Sequence, residues 1–227
     1  MHGSAEAPAI FADLVCAALA SKRPIVVGVE RSTAEQGAID AFLTGENHEA
    51  ATRAFLSHKG WHTFDGRSSR AMLEMLESLR ALRVEVVAFA AARPADTPVQ
   101  VEQRMAAALM AAASRHPKAL LLALTGNVHG SRKPIAEIGG YPLMAMHLPQ
   151  AETLTLMVTD KGGESWSSMN GSCGPHKVNS SGGVRRGVDL STAAPMAGYD
   201  GVLSTGLPST ASPPAIENAP PPPACSG

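Results

Sequence analysis

Apolar positions recur at helical spacing near the start of the chain. Ile10, Phe11, Leu14, Val15, Ala18 and Leu19 follow Ser4, whose hydroxyl is placed to cap a helix. The period then changes. Residues 25–29 form a short run rich in β-branched side chains, bounded by Pro24 and Glu30, and read as a strand buried on both faces. Ser32-Thr33-Ala34-Glu35 is a capping box that opens a second helix, and Gly45 can stop it. A third helical stretch spans 49–57. Ser68 or Ser69 opens a fourth, with Met72, Met75, Leu76 and Leu79 along one stripe, a pattern of core packing rather than of cofactor contact. Residues 84–89 form the next strand. Thr97-Pro98-Val99-Gln100 supplies the N-cap, the N1 proline and the N3 acceptor of a long Ala-rich helix. Further strands are predicted at 119–124, 153–158 and 202–204, with a loop at 125–133 after the first of these. Helices that alternate with continuous apolar strands imply a three-layer α/β domain, its mostly parallel sheet covered by helices on both faces.

Composition narrows the function. The chain has 227 residues, of which 44% are apolar and 17% charged, enough for one ordinary domain with a sizeable core. Nineteen Lys and Arg against twenty Asp and Glu leave a net charge of -1, so no broad basic field exists for nucleic acid. Aromatic residues make up only 4%, which disfavours base stacking. The longest apolar stretches, 105–113 and 119–124, fall far short of the roughly 18 residues of a membrane span. Cys16, Cys173 and Cys225 are widely separated and form no CxxC, so neither a thiolate zinc site nor a redox pair is expected, although one pair can form a disulfide. From residue 206 onward the composition shifts. Seven of the 17 prolines fall in 207–227, which divides the chain into a domain over 1–205 and an extended, disordered Pro-rich tail over 206–227. No basic segment followed by an apolar one marks a signal peptide at the start.

In open α/β sheets, sites gather at the carboxyl ends of the strands. Glu30 directly follows the first predicted strand, and Thr125-Gly126-Asn127-Val128-His129-Gly130 directly follows the third. A carboxylate and an imidazole at neighbouring strand ends point to a polar crevice, although Glu30 could instead cap the next helix and His129 could be a loop histidine. His2 and Glu6, four residues apart, face the same end of the first helix. No G-x-S-x-G elbow is present and no cysteine lies near these residues, so a serine or cysteine nucleophile is not expected.

These segments together resemble one known superfamily. His2-Gly3-Ser4-Ala5-Glu6-Ala7-Pro8 is similar to the second half of the Gly-Glu-x-His-Gly-x-x-Glu-x-Pro signature of erythromycin esterases, ChaN-type haem-binding lipoproteins and TraB/TIKI proteins. Val27-Gly28-Val29-Glu30 resembles the superfamily's strand ending in glutamate. Asp65-Gly66-Arg67-Ser68-Ser69 resembles its Arg-bearing segment before a helix, and Leu124-Thr125-Gly126-Asn127-Val128-His129 its Gly-Asn-x-His loop. The resemblance covers residues 1–205. The leading Gly-Glu and the strand before it would lie upstream of Met1. The resemblance therefore implies a chain truncated within the motif, a sheet without its first, central strand, and any signal peptide or lipid-attachment cysteine out of view. A periplasmic or secreted location follows if the true start lies upstream.

The resemblance also implies roles. His2 would be the general base that activates water against an acyl carbonyl, with Glu30 orienting or protonating it and Glu6 supporting the pair. His129 and Arg67, with Asn127 in the same loop, would bind a small-molecule substrate or stabilise the developing oxyanion. The alternative is a haem- or metal-binding protein without catalysis. His2, Glu30 and His129 would then be the ligands of a divalent metal such as zinc or manganese, or a histidine would ligate haem iron. The low aromatic content weighs against a haem pocket. Elsewhere, His48, His58 and His62 flank Trp61 on what reads as a solvated helical surface, His116 reads as exposed, and His147 as a neighbour of the site at most. Residues 162–166 read as a turn entering a loop, 170–189 as a stretch rich in Ser, Gly and Arg in which Arg185 and Arg186 read as mobile, and Tyr199-Asp200-Gly201 as a turn into the last strand.

Overall fold

β1 (Ile25–Ser32) is buried from Ile25 through Arg31, which is why it reads as an unbroken apolar run with charge only at its carboxyl end. The structure, a computed structural model, describes residues 3–63, 66–169, 172–182 and 185–216. β1 pairs in parallel with β2 (Glu85–Ala90) on one side and β3 (Leu120–Leu124) on the other, in the order β2-β1-β3. Val29 lies opposite Ala88 in one partner and Leu124 in the other. The next residues along, Glu30 and Thr125, therefore emerge side by side at the carboxyl ends.

Alternate side chains of this sheet enter different cores. Val27, Val29, Val86 and Ala88 pack with α1 (Glu6–Leu19), α2 (Gln36–Thr44) and α4 (Arg70–Ala81) through Phe11, Val15, Ile39, Phe42, Met72, Met75 and Leu76. The Met stripe of α4 is thus core, as its spacing predicts. Val26, Val87 and Phe89 pack instead with α5 (Pro98–Arg115) through Met105, Ala106, Leu109 and Ala112. Gly28 permits α5 to lie close on the sheet: a Cβ there would meet Leu109 at 3.0 Å and Ala123 at 3.1 Å. The capping boxes expected at Ser32/Glu35 and Thr97/Gln100 both form. Ser69 caps α4 through the Met72 amide, and α3 (His48–Leu56) follows α2 after Gly45. The N-cap of α1 is Ala5, which makes no side-chain cap bond, rather than the expected Ser4; Ser4, one residue before it, accepts from Ala7 N through Oγ at 3.4 Å.

The free edge of β2 is closed by one side chain. Gln36 Nε2 donates to Val86 O at 2.9 Å, and Gln36 Oε1 accepts from Ala88 N at 2.7 Å. A residue of an added parallel strand would make the same two bonds, so the primary amide blunts an edge that could otherwise pair with another chain.

A second sheet has β4 (Leu156–Thr159) parallel to β8 (Gly201–Ser204), with β7 (Gly187–Asp189) antiparallel on the far side of β8. One expectation is corrected in this half. Residues 163–166, read as a turn entering a loop, belong to β5 (Gly163–Met169), which pairs antiparallel with β6 (Ser172–Val178). Arg186 pairs with Asp13 on α1. Asp200 does belong to a turn that ties the sheet together: it accepts from Thr155 N at 2.8 Å and from Arg132 Nη1 at 2.7 Å.

Residues 3 and 4 are held by backbone bonds from two other segments. Gly3 O accepts from Trp166 N of β5 at 2.8 Å and from Ser212 N at 2.9 Å, and Ser4 bridges Ala211. A Cβ on Gly3 would overlap the Trp166 carbonyl, so only glycine fits. The stretch 207–216, read from its prolines as part of a disordered tail, is extended but fastened throughout. Pro213 O accepts from Arg70 N at 2.8 Å and Ser212 Oγ from Ala71 N at 3.0 Å, both at the start of α4. Ser209 Oγ donates to the buried Asp160 at 2.8 Å. Residues 217–227 lie outside the described residues.

A carboxylate–imidazole–carboxylate site at the strand ends

The polar crevice is built from the ends of β1 and β3. Glu30 is buried, and its Oε2 accepts from Thr125 Oγ1 at 2.8 Å and from Gly126 N at 2.6 Å. Those two donors fix the carboxylate and leave Oε1 turned towards two cationic groups. Arg67 Nη1 lies 3.6 Å from Oε1, and His129 Nε2 lies 3.9 Å from it. The structure brings Glu30, Arg67 and His129 together from three segments far apart in the chain.

Arg67 is held from behind. Its carbonyl accepts from Arg31 Nη1 at 2.8 Å. Arg31 is itself buried against Trp61, 4.3 Å over the ring, and bonds Glu35 through Nε at 2.8 Å and Nη2 at 2.5 Å. Glu35 also closes the capping box through Ser32 N, so one carboxylate both starts α2 and anchors Arg31. Trp61 therefore belongs to the core, stacked edge-on against Phe55. His58, read as solvated, is partly buried and accepts from Gly60 N, whereas His48 and His62 are exposed as expected.

The other side of His129 meets a residue that sequence reasoning missed. His129 Nδ1 lies 2.8 Å and 2.9 Å from the two oxygens of Glu102 on α5. Glu102 is 2% exposed, and its Oε2 also accepts from Met144 N at 2.7 Å. A signal existed: Glu102 shares one helical stripe with Met105, Ala106, Leu109 and Ala112, and a carboxylate on such a stripe needs a buried partner. Burial by itself lowers the proton affinity of His129. The Glu102 hydrogen bond, then the charges of Glu30 and Glu102, outweigh that loss and the opposing charge of Arg67, so the net shift is upward from 6.5.

The remaining expected residues fall in different places. Glu6 accepts from Thr210 N at 2.8 Å, and no hydrogen bond or ion pair joins it to Glu30, Arg67 or His129 among the described residues. Its observed role is to fasten the 207–216 segment to the first turn of α1. Asn127 stands in the loop between Gly126 and His129. Its carbonyl accepts from the buried Tyr199 hydroxyl, and its side-chain amide makes no hydrogen bond within the protein among the described residues. His147 lies in the 3-10 turn Met144–His147 that donates to Glu102, and its Nε2 is buried without a partner among the described residues. His2 and Asp65 lie outside the described residues.

Among the described residues no group of three or more His, Cys, Asp or Glu is placed to hold a metal ion. Glu30 Oε1, the oxygen facing His129, already has the Arg67 guanidinium beside it, and Nε2 of His129 faces these charges rather than an apolar slot. No helix among the described residues is long and apolar enough to cross a membrane. Compared with protein-family models, with curated proteins and with solved structures, the chain gives no significant match.

Proposed function

We propose that the protein is a hydrolase of the erythromycin esterase/ChaN-like kind, a three-layer α/β domain that drives water against an ester- or amide-type carbonyl. The observation that carries this reading is the meeting of Glu30 Oε1, Arg67 Nη1 and His129 Nε2 within 3.9 Å at the carboxyl ends of β1 and β3. A carbonyl oxygen that gains charge during attack would find two N–H donors there, Arg67 and, when the ring is protonated, His129 Nε2, a protonation that Glu102 and Glu30 favour. Glu30 balances both cations in the resting site. Asn127 offers an uncommitted amide to the substrate. His2 enters from its motif alone: it takes the proton of the attacking water and returns it to the leaving group.

The test is ester and lactone hydrolysis by the purified protein, with and without chelator, beside His129→Ala and Glu30→Gln. Turnover that falls about 100-fold in His129→Ala, and that chelator leaves unchanged, is expected. Turnover abolished by chelator would replace this mechanism with a metal-dependent one. No turnover in any sample would overturn the hydrolase reading for this chain.

A further inference from the structure

We infer that Glu102 is a positioning residue that reserves the Nδ1 proton of His129 and leaves Nε2 as the only nitrogen that works at the site. The inference rests on the hydrolase reading for its kinetic consequence but not for its geometry. Both oxygens of Glu102 lie within 2.9 Å of Nδ1, whereas Nε2 points towards Glu30 and Arg67. A carboxylate can only accept, so Nδ1 must carry hydrogen in either charge state of the ring. An isolated imidazole faces no such restriction, and its two tautomers interchange.

The protein fixes Glu102 on three sides. Met144 N holds Oε2 at 2.7 Å. Ala145 N, the next amide along, bonds the His129 carbonyl at 3.0 Å, so one turn braces both members of the pair. Gly28 lets α5 lie against the sheet and so sets the depth to which Glu102 reaches. A merely structural carboxylate would need Met144 alone. The paired approach to Nδ1 is the feature that such a role leaves unexplained.

Glu102→Gln distinguishes the two roles. The variant is isosteric, and Met144 N–H holds the amide oxygen at the Oε2 position. The amide NH2 then faces Nδ1 as a donor, which favours hydrogen on Nε2. Glu102→Leu removes the acceptor altogether and gives a second, independent variant. The readout is the pair of ring ¹⁵N shifts of His129, assigned by difference from His129→Gln and recorded above the pH at which the ring is neutral. The wild-type protein is expected to show hydrogen on Nδ1, and the variants a shift towards Nε2. In an ester assay the variants lose the carboxylate that pairs with the protonated ring, so His129 donates as a neutral imidazole, and kcat is expected to fall by up to about 100-fold with KM little changed.

Ring shifts unchanged in Glu102→Gln, whatever its thermal stability, would overturn the assignment and leave Glu102 a brace for residues 144–145. A switched tautomer in a protein that hydrolyses no ester would support the positioning role while the hydrolase reading fell. The two failures are therefore separable.

Discussion

Glu102 and His129 place a carboxylate and an imidazole where each alone would be costly, since burying one unpaired ion costs several kcal/mol. The pair accounts for both. It also links the site to pH. The folded proton affinity of His129 lies above 6.5, so folding favours the protonated ring. The stabilisation is complete below that value and disappears as pH rises through the higher folded value. Glu102 on α5 and Glu30 on β1 face the ring with negative charge, and Arg67 opposes them. Unfolding free energy of the wild-type protein is therefore expected to decline, as pH rises above 6.5, more steeply than that of His129→Gln. Equal slopes in urea titrations across that range would show that the ring gains no proton on folding. At this scale the sequence exposes Glu30, which directly follows the apolar run of β1, and His129, which stands in the 125–130 loop that directly follows the apolar run of β3. It conceals Glu102, which sits 27 residues from His129 in a helix whose alanines set the impression. Glu6 accepts from the backbone of a segment 204 residues away, a contact no local spacing signals.

Elements were legible wherever burial writes a period into the chain. The parallel strands β1, β2 and β3 and the helices between them all fall where the apolar pattern puts them. The β5–β6 hairpin does not, for a physical reason. Its residues Gly-Glu-Ser-Trp-Ser-Ser-Met and Ser-Cys-Gly-Pro-His-Lys-Val carry neither an apolar run nor an alternation, and Pro175, opposite Trp166, reads as a strand breaker. Backbone pairing with Gly3, and that of Glu164 with Ser209, anchors β5 where side-chain hydrophobicity does not. Gln36 is a related case, a polar helix residue acting as a strand. Gln36→Leu would leave Val86 O and Ala88 N without these partners. The expected loss is about 1–2 kcal/mol in urea unfolding, where water reaches only part of the vacated edge. A variant as stable as the wild type would mean that the edge needs no such cover.

At the scale of the whole molecule, the segment 207–216 behaves as a strap rather than a tail. It joins the first turn of α1, the first turn of α4, the start of β5 and the buried Asp160. Its prolines misled because they forbid helix and central strand, but not an extended path whose carbonyls accept. Ser209→Ala and Ser212→Ala together are expected to lower the unfolding free energy by about 2 kcal/mol, roughly one hydrogen bond each. Amide exchange should quicken at Ala5 and at Ala71 alike. Acceleration at only one of the two would show that the strap does not act as a unit.

The seam between residues 3–6 and 210–212 has a consequence for how the chain is made. Synthesis delivers the amino end first, at about 5–20 residues per second. Gly3 must therefore wait for Ser212 to emerge before its carbonyl gains both of its donors. Residues 3–6 are thus translated long before they are locked, and a nascent chain halted short of residue 209 would carry them without the bonds from Thr210 and Ser212.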